Sequence, residues 1–299
     1  GPWARNYIES IDRIEGLQLT SICPIYASKS FSPPFGVRVY LDWEELLDIE
    51  KVDGVIVATN PNIQNDIALA LASKSIPMIL EKPVALDGAS LNSLVDALYE
   101  RGPLTLVNHF HLFHPDFRRF SKFLENEDIS RIEIIDGSFG PFRRSIPALY
   151  DWAPHGLGVA LFLLGSFPVN VKSNCSLGQN GGEIWDLDLN FNRSTNVRIK
   201  CGNGFFSKQR EIRVTVRNRV TPVIFDLSSQ FLDHSSLEYT SEKEFDQRSP
   251  MDVLLEEFLE LEGQQLCSGH FTLKIAFDVI RILNLVMNDH HISHEVLGE

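Results

Sequence analysis

The sequence predicts an α/β fold, a doubly wound parallel sheet followed by a second domain rich in strands that are solvated on one side. Three observations predict it. Short apolar strands alternate with apolar-faced helices over the first third of the chain. Later segments alternate apolar and polar residues, and 299 residues exceed the usual size of a single core. We expect residues 1–115 to form the first domain and residues 116–299 the second, with the last helices as candidates to pack back on the first.

The alternation of helix and strand begins almost at the first residue. Tyr7, Ile8 and Ile11 have helical spacing, which predicts a helix there. After it we expect strands at 17–23, 52–59 and 76–80 and helices at 43–47 and 63–74. This βαβ order is typical of a parallel sheet with helices on both faces.

Composition and charge narrow the classes of function. Hydrophobic residues make up 43% and charged residues 22% of the chain, as in an ordinary globular protein. The formal charge of -13 argues against phosphate-mediated binding to nucleic acid or to an anionic membrane. No apolar run is long enough to span a bilayer and no signal-peptide pattern opens the chain, so we expect a cytoplasmic protein that acts on a small molecule. The four cysteines are far apart, which predicts reduced, structural thiols.

The first four residues resemble part of a nucleotide-binding turn. A helix at the start of the chain puts Gly1, Pro2, Trp3 and Ala4 where a dinucleotide-binding fold has the end of its G-x-G-x-x-G/A turn. Gly1 would let a pyrophosphate approach the backbone, and the helix N-terminus would favour its negative charge. On this interpretation the first strand lies upstream of Gly1. The alternative, that Gly1 and Pro2 remain from a cleaved tag, stays open.

The second strand lacks the acidic residue that usually holds the adenosine ribose. Cys23 is followed by Pro-Ile-Tyr-Ala and then by Ser28 and Lys29, which could meet a 2'-phosphate. This slightly favours NADP. Lys29 as a solvated loop charge is an equally good interpretation, so the sequence does not separate NAD from NADP.

The stretch Ile76–Pro83 runs an apolar strand directly into a charged pair closed by proline. Together with the residues below, it resembles the Gfo/Idh/MocA oxidoreductases. The resemblance is carried by three stretches, V-I-V-A-T-N-P-N at 55–62, E-K-P at 81–83 and D-W-A-P-H at 151–155. It implies a Rossmann domain followed by an α+β domain with a large, mostly antiparallel open sheet. It also implies oxidation or reduction of a sugar, cyclitol or sugar nucleotide with NAD or NADP, in a homodimer or homotetramer.

The resemblance and the chemistry of the reaction together suggest a role for each residue. A hydride leaving a carbinol carbon requires a base for the hydroxyl proton, and His155 is the candidate. Lys82 would stabilise charge on the substrate oxygen, and Asp151, four residues before His155, would orient the imidazole or bind a hydroxyl. Glu81 is expected to orient Lys82 or to contact the ribose. The resemblance also implies a cis peptide before Pro83 and cofactor contacts from Ala58, Thr59, Asn60, Pro61, Asn62, Glu81, Lys82 and Asn108.

Several residues depart from the family pattern. Gly156 stands where an aspartate often follows the histidine, and Gln64 stands where a histidine is common. His109 and His111 replace the usual arginine. Their alternation with apolar residues suggests a strand with one wet face lining the substrate pocket, and a structural role is at least as good an interpretation. A metal site is not expected, because no partner ligands are nearby.

Arg143 or Arg144 could meet a phosphate of a sugar nucleotide, although solvated loop arginines are the commoner case. A second function class stays open as well. The altered residues are compatible with a non-catalytic dinucleotide-binding protein of the same fold, with a regulatory or scaffold role.

Overall fold

The structure, a computed structural model, describes residues 2–24, 32–99, 102–143, 146–192, 194–226, 231–232, 248–264 and 270–296. The chain divides into two compact units. The first comprises Gly1–Asn108 and Arg248–Lys274, and the second comprises His109–Gln247 and Ile275–Glu299. We expected the boundary between the two domains to lie between residues 115 and 116, and this stays a prediction. None of the described helices combines the length and apolar character needed to cross a membrane.

The first unit is built on parallel strands. Its strands are β1 (Ser21–Ile22), β2 (Arg38–Val39), β3 (Val55–Val57), β4 (Met78–Glu81) and β5 (Thr105–Asn108). Its helices are α1 (Pro2–Ile11), α2 (Trp43–Ile49), α3 (Pro61–Ser73), α4 (Gly88–Leu98) and α7 (Pro250–Gly263). β3, β4 and β5 form a parallel sheet in that order, and β1 pairs with β2 in parallel. The predicted alternation is confirmed, although the strand expected at 17–23 is limited to β1.

Side-chain caps explain where the helices of the first unit begin. Asn60 accepts a hydrogen bond of 3.2 Å from the backbone of Ile63 and Pro61 occupies the first turn, so α3 starts directly after β3. Asp87 caps α4 through the Ser90 backbone at 2.8 Å. The amide and the hydroxyl of Ser90 both donate to Asp87 and lower the pKa of its carboxyl group. The caps fix the chain direction at the two turns that follow β3 and β4.

Helix α7 comes late in the chain and packs within the first unit, against residues from its first segment. Arg13 pairs with Asp252 at 2.7 Å. A Cβ atom on Gly54, which precedes β3, would lie 2.8 Å from the ring of Phe258 in α7. Gly54 is therefore required by close packing. The expectation that the last helices pack back on the first domain stays a prediction.

The second unit contains a mixed sheet of seven strands in the order β12-β11-β10-β6-β9-β8-β7. β6 and β9 run parallel and the other neighbouring pairs are antiparallel, as expected for a mostly antiparallel sheet. The strands are β6 (Ile129–Phe139), β7 (Asn170–Leu177), β8 (Glu183–Phe191), β9 (Thr195–Gly202), β10 (Gly204–Val216), β11 (Val223–Asp226) and β12 (Phe231–Leu232). The helices are α5 (Pro115–Leu124), α6 (Ala148–Leu164) and α8 (Phe271–Val296), of which α8 enters this unit at Ile275.

Helix α6 covers one face of this sheet. Leu157, Ala160 and Leu161 are buried, and the helix ends at Gly165, whose φ of 62° is the left-handed conformation that favours glycine. α6 begins at Ala148, so Pro154 lies inside it. Pro154 lies in the second turn, where it has no N–H to donate to the carbonyl of Tyr150.

Candidate functional site

A charged turn at the carboxyl end of β4 is the centre of the candidate site in the first unit. Glu81 ends β4, Lys82 and Pro83 follow it, and the peptide bond between Lys82 and Pro83 is cis. β4 lies between β3 and β5, and Glu81 is in register with Asn108. Ligands of open α/β sheets bind at the carboxyl ends of the strands. Lys82 is half-buried at this edge.

Gln64 holds the backbone of this turn. Its amide nitrogen donates to the carbonyl oxygens of Glu81 at 2.7 Å and Pro83 at 3.3 Å, and its amide oxygen accepts from the backbone of Glu81 at 2.9 Å. The side chain is buried. Buried backbone groups must be paired, and Gln64 pairs three of them on both sides of Lys82. The sequence singled out Gln64 only as a departure from the family pattern and did not predict this role.

The carboxylate of Glu81 is held inside the unit. One of its oxygens accepts hydrogen bonds of 2.8 Å from the Tyr7 hydroxyl and 2.8 Å from the Asn108 amide, and that amide also donates to the Tyr7 oxygen at 3.0 Å. All three side chains are buried, with Glu81 only 8% exposed. These contacts join α1, β4 and β5. Glu81 and Asn108 were predicted to contact the cofactor, and their contacts in the structure are with each other and with Tyr7.

Burial dominates the electrostatics of this group. It raises the pKa of Glu81, and the opposing effects of Asn108, Tyr7 and the nearby Lys82 charge are smaller. Burial and the Glu81 charge raise the pKa of Tyr7 well above its ordinary value. The Tyr7 hydroxyl is therefore protonated at neutral pH and is a permanent donor to Glu81.

The other predicted cofactor residues are distributed over three segments. Ala58, Thr59 and Asn60 follow β3 and are half-buried, Pro61 is buried at the start of α3, and Asn62 is exposed. Trp3 and Ala4 are half-buried in the first turn of α1, which Pro2 begins. Gly1, Ser28 and Lys29 lie outside the described residues. Neither α1 nor α3 has an acidic residue in its first turn, so no carboxylate there would oppose a phosphate group.

The second unit has its own cluster of candidate residues, on α6. Asp151 and His155 are four residues apart within the helix and so project on one face, as predicted. Asp151 is buried, and its carboxylate lies 3.2 Å from the guanidinium of Arg143. Arg143 was considered as a phosphate contact, and in the structure it pairs with Asp151. Arg144 lies outside the described residues.

Two glycines determine how closely α6 approaches its neighbours. A Cβ atom on Gly156 would lie 2.9 Å from a methyl group of Ile199 in β9, so the glycine lets the helix approach the sheet beside His155. A Cβ atom on Gly158 would lie 3.0 Å from the Nδ1 atom of His109. Gly156 and Gly158 therefore have a packing role.

His109 and His111 are not on a strand. β5 ends at Asn108, and a 3-10 helix spans Phe110–Phe113, so the predicted strand with one wet face is wrong. Both histidines are buried. The wrong period was inferred because apolar and polar residues alternate over only four positions, which a tight helical turn also accommodates. The rings of His111 and His155 meet edge to face, with centroids 5.1 Å apart.

Asp136 and Arg210 complete this cluster and were not predicted. Asp136 lies in β6, is 1% exposed, and its carboxylate is 3.0 Å from Nε of Arg210 in β10 and 3.8 Å from Nε2 of His111. A signal was present in the sequence. Ile132, Ile134 and Asp136 occupy alternate positions of one strand, so a charged residue falls on the apolar, inward face.

The residues of the first unit fit a dinucleotide better than a metal ion. The carboxyl edge of β3 to β5 offers half-buried polar backbone, two helices without acidic first turns and the ammonium group of Lys82. Among the residues that the structure describes, no three His, Cys, Asp or Glu side chains are arranged to hold a metal ion.

Comparison with known proteins points to one family. Residues 1–109 match the model described as an oxidoreductase family with an NAD-binding Rossmann fold, Gfo/Idh/MocA. The chain is 26% identical to inositol 2-dehydrogenase 2 of Saccharopolyspora erythraea over 136 residues, 44% of this chain and 40% of that protein. It is 28% identical to levoglucosan dehydrogenase of Pseudarthrobacter phenanthrenivorans over 142 residues, 42% of this chain and 36% of that protein. The chain thus matches less than half the length of each of these curated relatives.

The fold is also found in solved structures over the whole chain. A dehydrogenase from Chromobacterium violaceum superposes with a TM-score of 0.79 at 13% sequence identity, covering 100% of this chain and 95% of that one. At this identity the similarity concerns the fold. Residues 1–109 are thus similar to the Gfo/Idh/MocA family of oxidoreductases, and the first unit has the NAD-binding Rossmann fold.

Proposed function

We propose that the protein is an NAD(P)-dependent oxidoreductase that moves a hydride between the nicotinamide and a carbinol or ketone of a sugar, cyclitol or sugar nucleotide. The observation that carries the proposal is the turn after β4. Gln64 and the contacts of Glu81 hold Lys82 at the carboxyl edge of a parallel sheet, within the residues that match the NAD-binding family. A lysine that only served solubility would need no such buried support.

Lys82 is the proposed stabiliser of charge on the substrate oxygen. The cofactor, when bound, supplies or accepts the hydride. The role of Lys82 is to hold its ammonium group near the substrate oxygen, on which negative charge develops during hydride transfer. The side chain is half-buried, so its charge is screened less than that of a surface lysine.

His155 is the proposed base for the hydroxyl proton and Asp151 a contact of the substrate or of the base. An imidazole takes up and releases a proton near neutral pH, as the reaction requires in each direction. The Arg143 guanidinium at 3.2 Å compensates the buried charge of Asp151. We assign the substrate-binding role in the same cluster to His109 and His111, which lie close to α6.

The substrate class is supported by chemistry and by similarity. A cluster of imidazoles and carboxylates offers donors and acceptors that suit the hydroxyl groups of a polyol. The two curated relatives described above are named for inositol and for levoglucosan, and both names denote polyhydroxylated rings.

NADP is the cofactor we propose as the better ligand. The support is the sequence after β1, where Ser28 and Lys29 occur and a ribose-binding carboxylate does not. Fluorescence titration of the wild-type chain and of Lys29→Ala with NADPH and NADH tests this preference. The variant should lose affinity for NADPH and keep its affinity for NADH. On the family resemblance we also propose that the protein is cytoplasmic and forms a homodimer or homotetramer. Light scattering of the purified chain measures its oligomeric state.

The function is tested in two stages with the full chain. NADH or NADPH should bind with enhanced fluorescence, and absence of binding by both would remove the oxidoreductase proposal. A panel of cyclitols, sugars and nucleotide sugars should then give cofactor turnover with at least one compound. Cofactor binding without turnover on a broad panel would favour the non-catalytic alternative.

A further inference from the structure

The imidazole of His111 is buried with an incomplete set of hydrogen bonds. The residue is 5% exposed, and among the described residues neither ring nitrogen has a partner in hydrogen-bonding geometry. Buried polar atoms in native proteins are almost always paired, with protein, water or ligand. The ring nitrogens of His111 therefore mark a place where a polar ligand group is expected.

One of the two nitrogens faces a carboxylate. Nε2 of His111 lies 3.8 Å from Oδ2 of Asp136, which is longer than a hydrogen bond, as is common at sites before a ligand binds. The Asp136 carboxylate is almost fully buried and carries a compensating contact from Arg210 at 3.0 Å. A buried carboxylate without such a cation would be very costly, so Arg210 allows Asp136 to be an anion beside the ring.

The ring of His111 also contacts His155, the candidate base. Its ring meets that of His155 edge to face, at 5.1 Å between centroids. A ligand group bound to His111 would thus be close to the imidazole that we assign to proton transfer. The 3-10 helix supplies His111, β6 supplies Asp136 and β10 supplies Arg210; the first two side chains are buried and Arg210 is half-buried.

We propose that Asp136 is a positioning residue, which keeps the proton of His111 on Nε2 so that Nδ1 is left as an acceptor for a hydroxyl group of the substrate. The hydrogen-bond partner of one ring nitrogen decides which tautomer a histidine adopts. An anionic Asp136 accepts only, so it selects the tautomer with hydrogen on the nearer nitrogen. The remaining nitrogen then accepts the O–H of a polyol. This inference deepens the proposed function and rests on it for the identity of the ligand.

The tautomer can be observed without any turnover. The full chain, labelled with [15N]histidine, gives long-range 1H–15N spectra that distinguish the two nitrogens of each ring, and His111→Gln assigns the signals of His111. The wild-type ring should carry a hydrogen on Nε2. In Asp136→Asn this preference should be lost or reversed, because an amide can donate as well as accept.

Kinetics supply the second measurement. Asp136→Asn should raise KM for the best substrate about tenfold, the equivalent of one hydrogen bond, while kcat and the Kd of the cofactor change less than about twofold. Glu133→Gln is the matched control, because it removes a carboxylate of the same strand that pairs with Arg131 at 2.9 Å on the partly exposed face. It should leave KM and the His111 signals unchanged. If Asp136→Asn does not fold, the double variant with Arg210→Gln removes both buried charges and takes its place.

The outcomes separate the two proposals. An unchanged His111 tautomer in Asp136→Asn, or a wild-type ring protonated on Nδ1, overturns the positioning role whether or not the protein is active. An altered tautomer with an unchanged KM overturns substrate binding by His111. A tautomer that depends on Asp136 in a protein without any turnover upholds the positioning role and removes the proposed function.

Discussion

The hydroxyl of Tyr7 donates a hydrogen bond of 2.8 Å to the carboxylate of Glu81 and so connects helix α1 to the turn that carries Lys82. Asn108 donates to both partners, which extends the connection to β5. A change at Tyr7 can therefore reach Lys82 through the hydrogen bond to its neighbour Glu81. The proposed cofactor-binding helix is thus joined by a buried network to the residue that precedes the proposed catalytic lysine.

Removal of the Tyr7 hydroxyl should destabilise the first unit. Tyr7→Phe leaves the buried Glu81 with one donor fewer, so the free energy of unfolding should fall by about 1–3 kcal/mol. Urea denaturation measures the loss. Tyr99→Phe changes an exposed tyrosine and should alter the free energy by less than about 0.5 kcal/mol. Equal effects of the two substitutions would contradict the importance of the Tyr7 contact.

The raised pKa of Glu81 predicts a pH-dependent difference between the wild type and Glu81→Gln. The folded protein holds this proton more tightly than the unfolded chain, so the favourable contribution of Glu81 is complete below its ordinary pKa of 4.5. It is lost as the pH rises through the higher folded pKa. Unfolding free energies measured at a series of pH values should show wild type losing stability relative to the variant as the pH rises. If the wild type instead gained stability relative to Glu81→Gln as the pH rises, the pKa of Glu81 would not be raised in the folded protein.

The lowered pKa of Asp87 predicts the opposite dependence at the start of α4. Its carboxylate caps the helix above the ordinary pKa of 3.8, and the contribution disappears as the pH falls through the lower folded pKa. Asp87→Ala should cost about 1 kcal/mol at neutral pH and less in acid. Asp87→Asn is the control, because asparagine caps without titrating. If the cost of Asp87→Ala did not depend on pH, the cap would not act through its charge.

Loss of the Gln64 amide should affect catalysis more than cofactor binding. Gln64→Ala frees the backbone on both sides of Lys82, and displacement of a catalytic group by about 1 Å can cost roughly a hundredfold in rate. We expect kcat/KM to fall by about that factor while the cofactor Kd changes little. Asp66→Ala, on the exposed face of the same helix, is the control. A wild-type rate in Gln64→Ala would mean that the turn needs no such support.

Gly156→Ala should destabilise the protein although alanine is the better helix former. The new methyl group would lie 2.9 Å from Ile199, so α6 must move away from β9, at a cost of about 1–3 kcal/mol. Gly263→Ala, at the end of α7 with open space around it, should be neutral or stabilising. Thermal unfolding of both variants compares them directly. A stabilised Gly156→Ala protein would show that the close approach is unimportant.

The sequence predicted the order of helices and strands well because local periodicity determines it. β3, β4 and β5 are short apolar runs between capped helices, and Lys82 follows the central one. What it missed depends on contacts between distant segments. Asp136 and Arg210 are 74 positions apart and meet only because β6 and β10 are paired, and Gln64 reaches Glu81 only because α3 returns beside β4. The histidines after β5 were assigned to a strand because four residues are too few to separate a strand from a 3-10 turn.

The rate of hydride transfer in the Lys82→Met variant tests the proposed role of the lysine most directly. Methionine keeps the length and removes the charge, so the cofactor should still bind with a Kd within a few fold of wild type. The rate of cofactor reduction or oxidation in a single turnover with the best polyol should fall by roughly a thousandfold, as when a group that stabilises transition-state charge is removed. A Lys82→Met protein that transfers hydride at the wild-type rate would contradict the account.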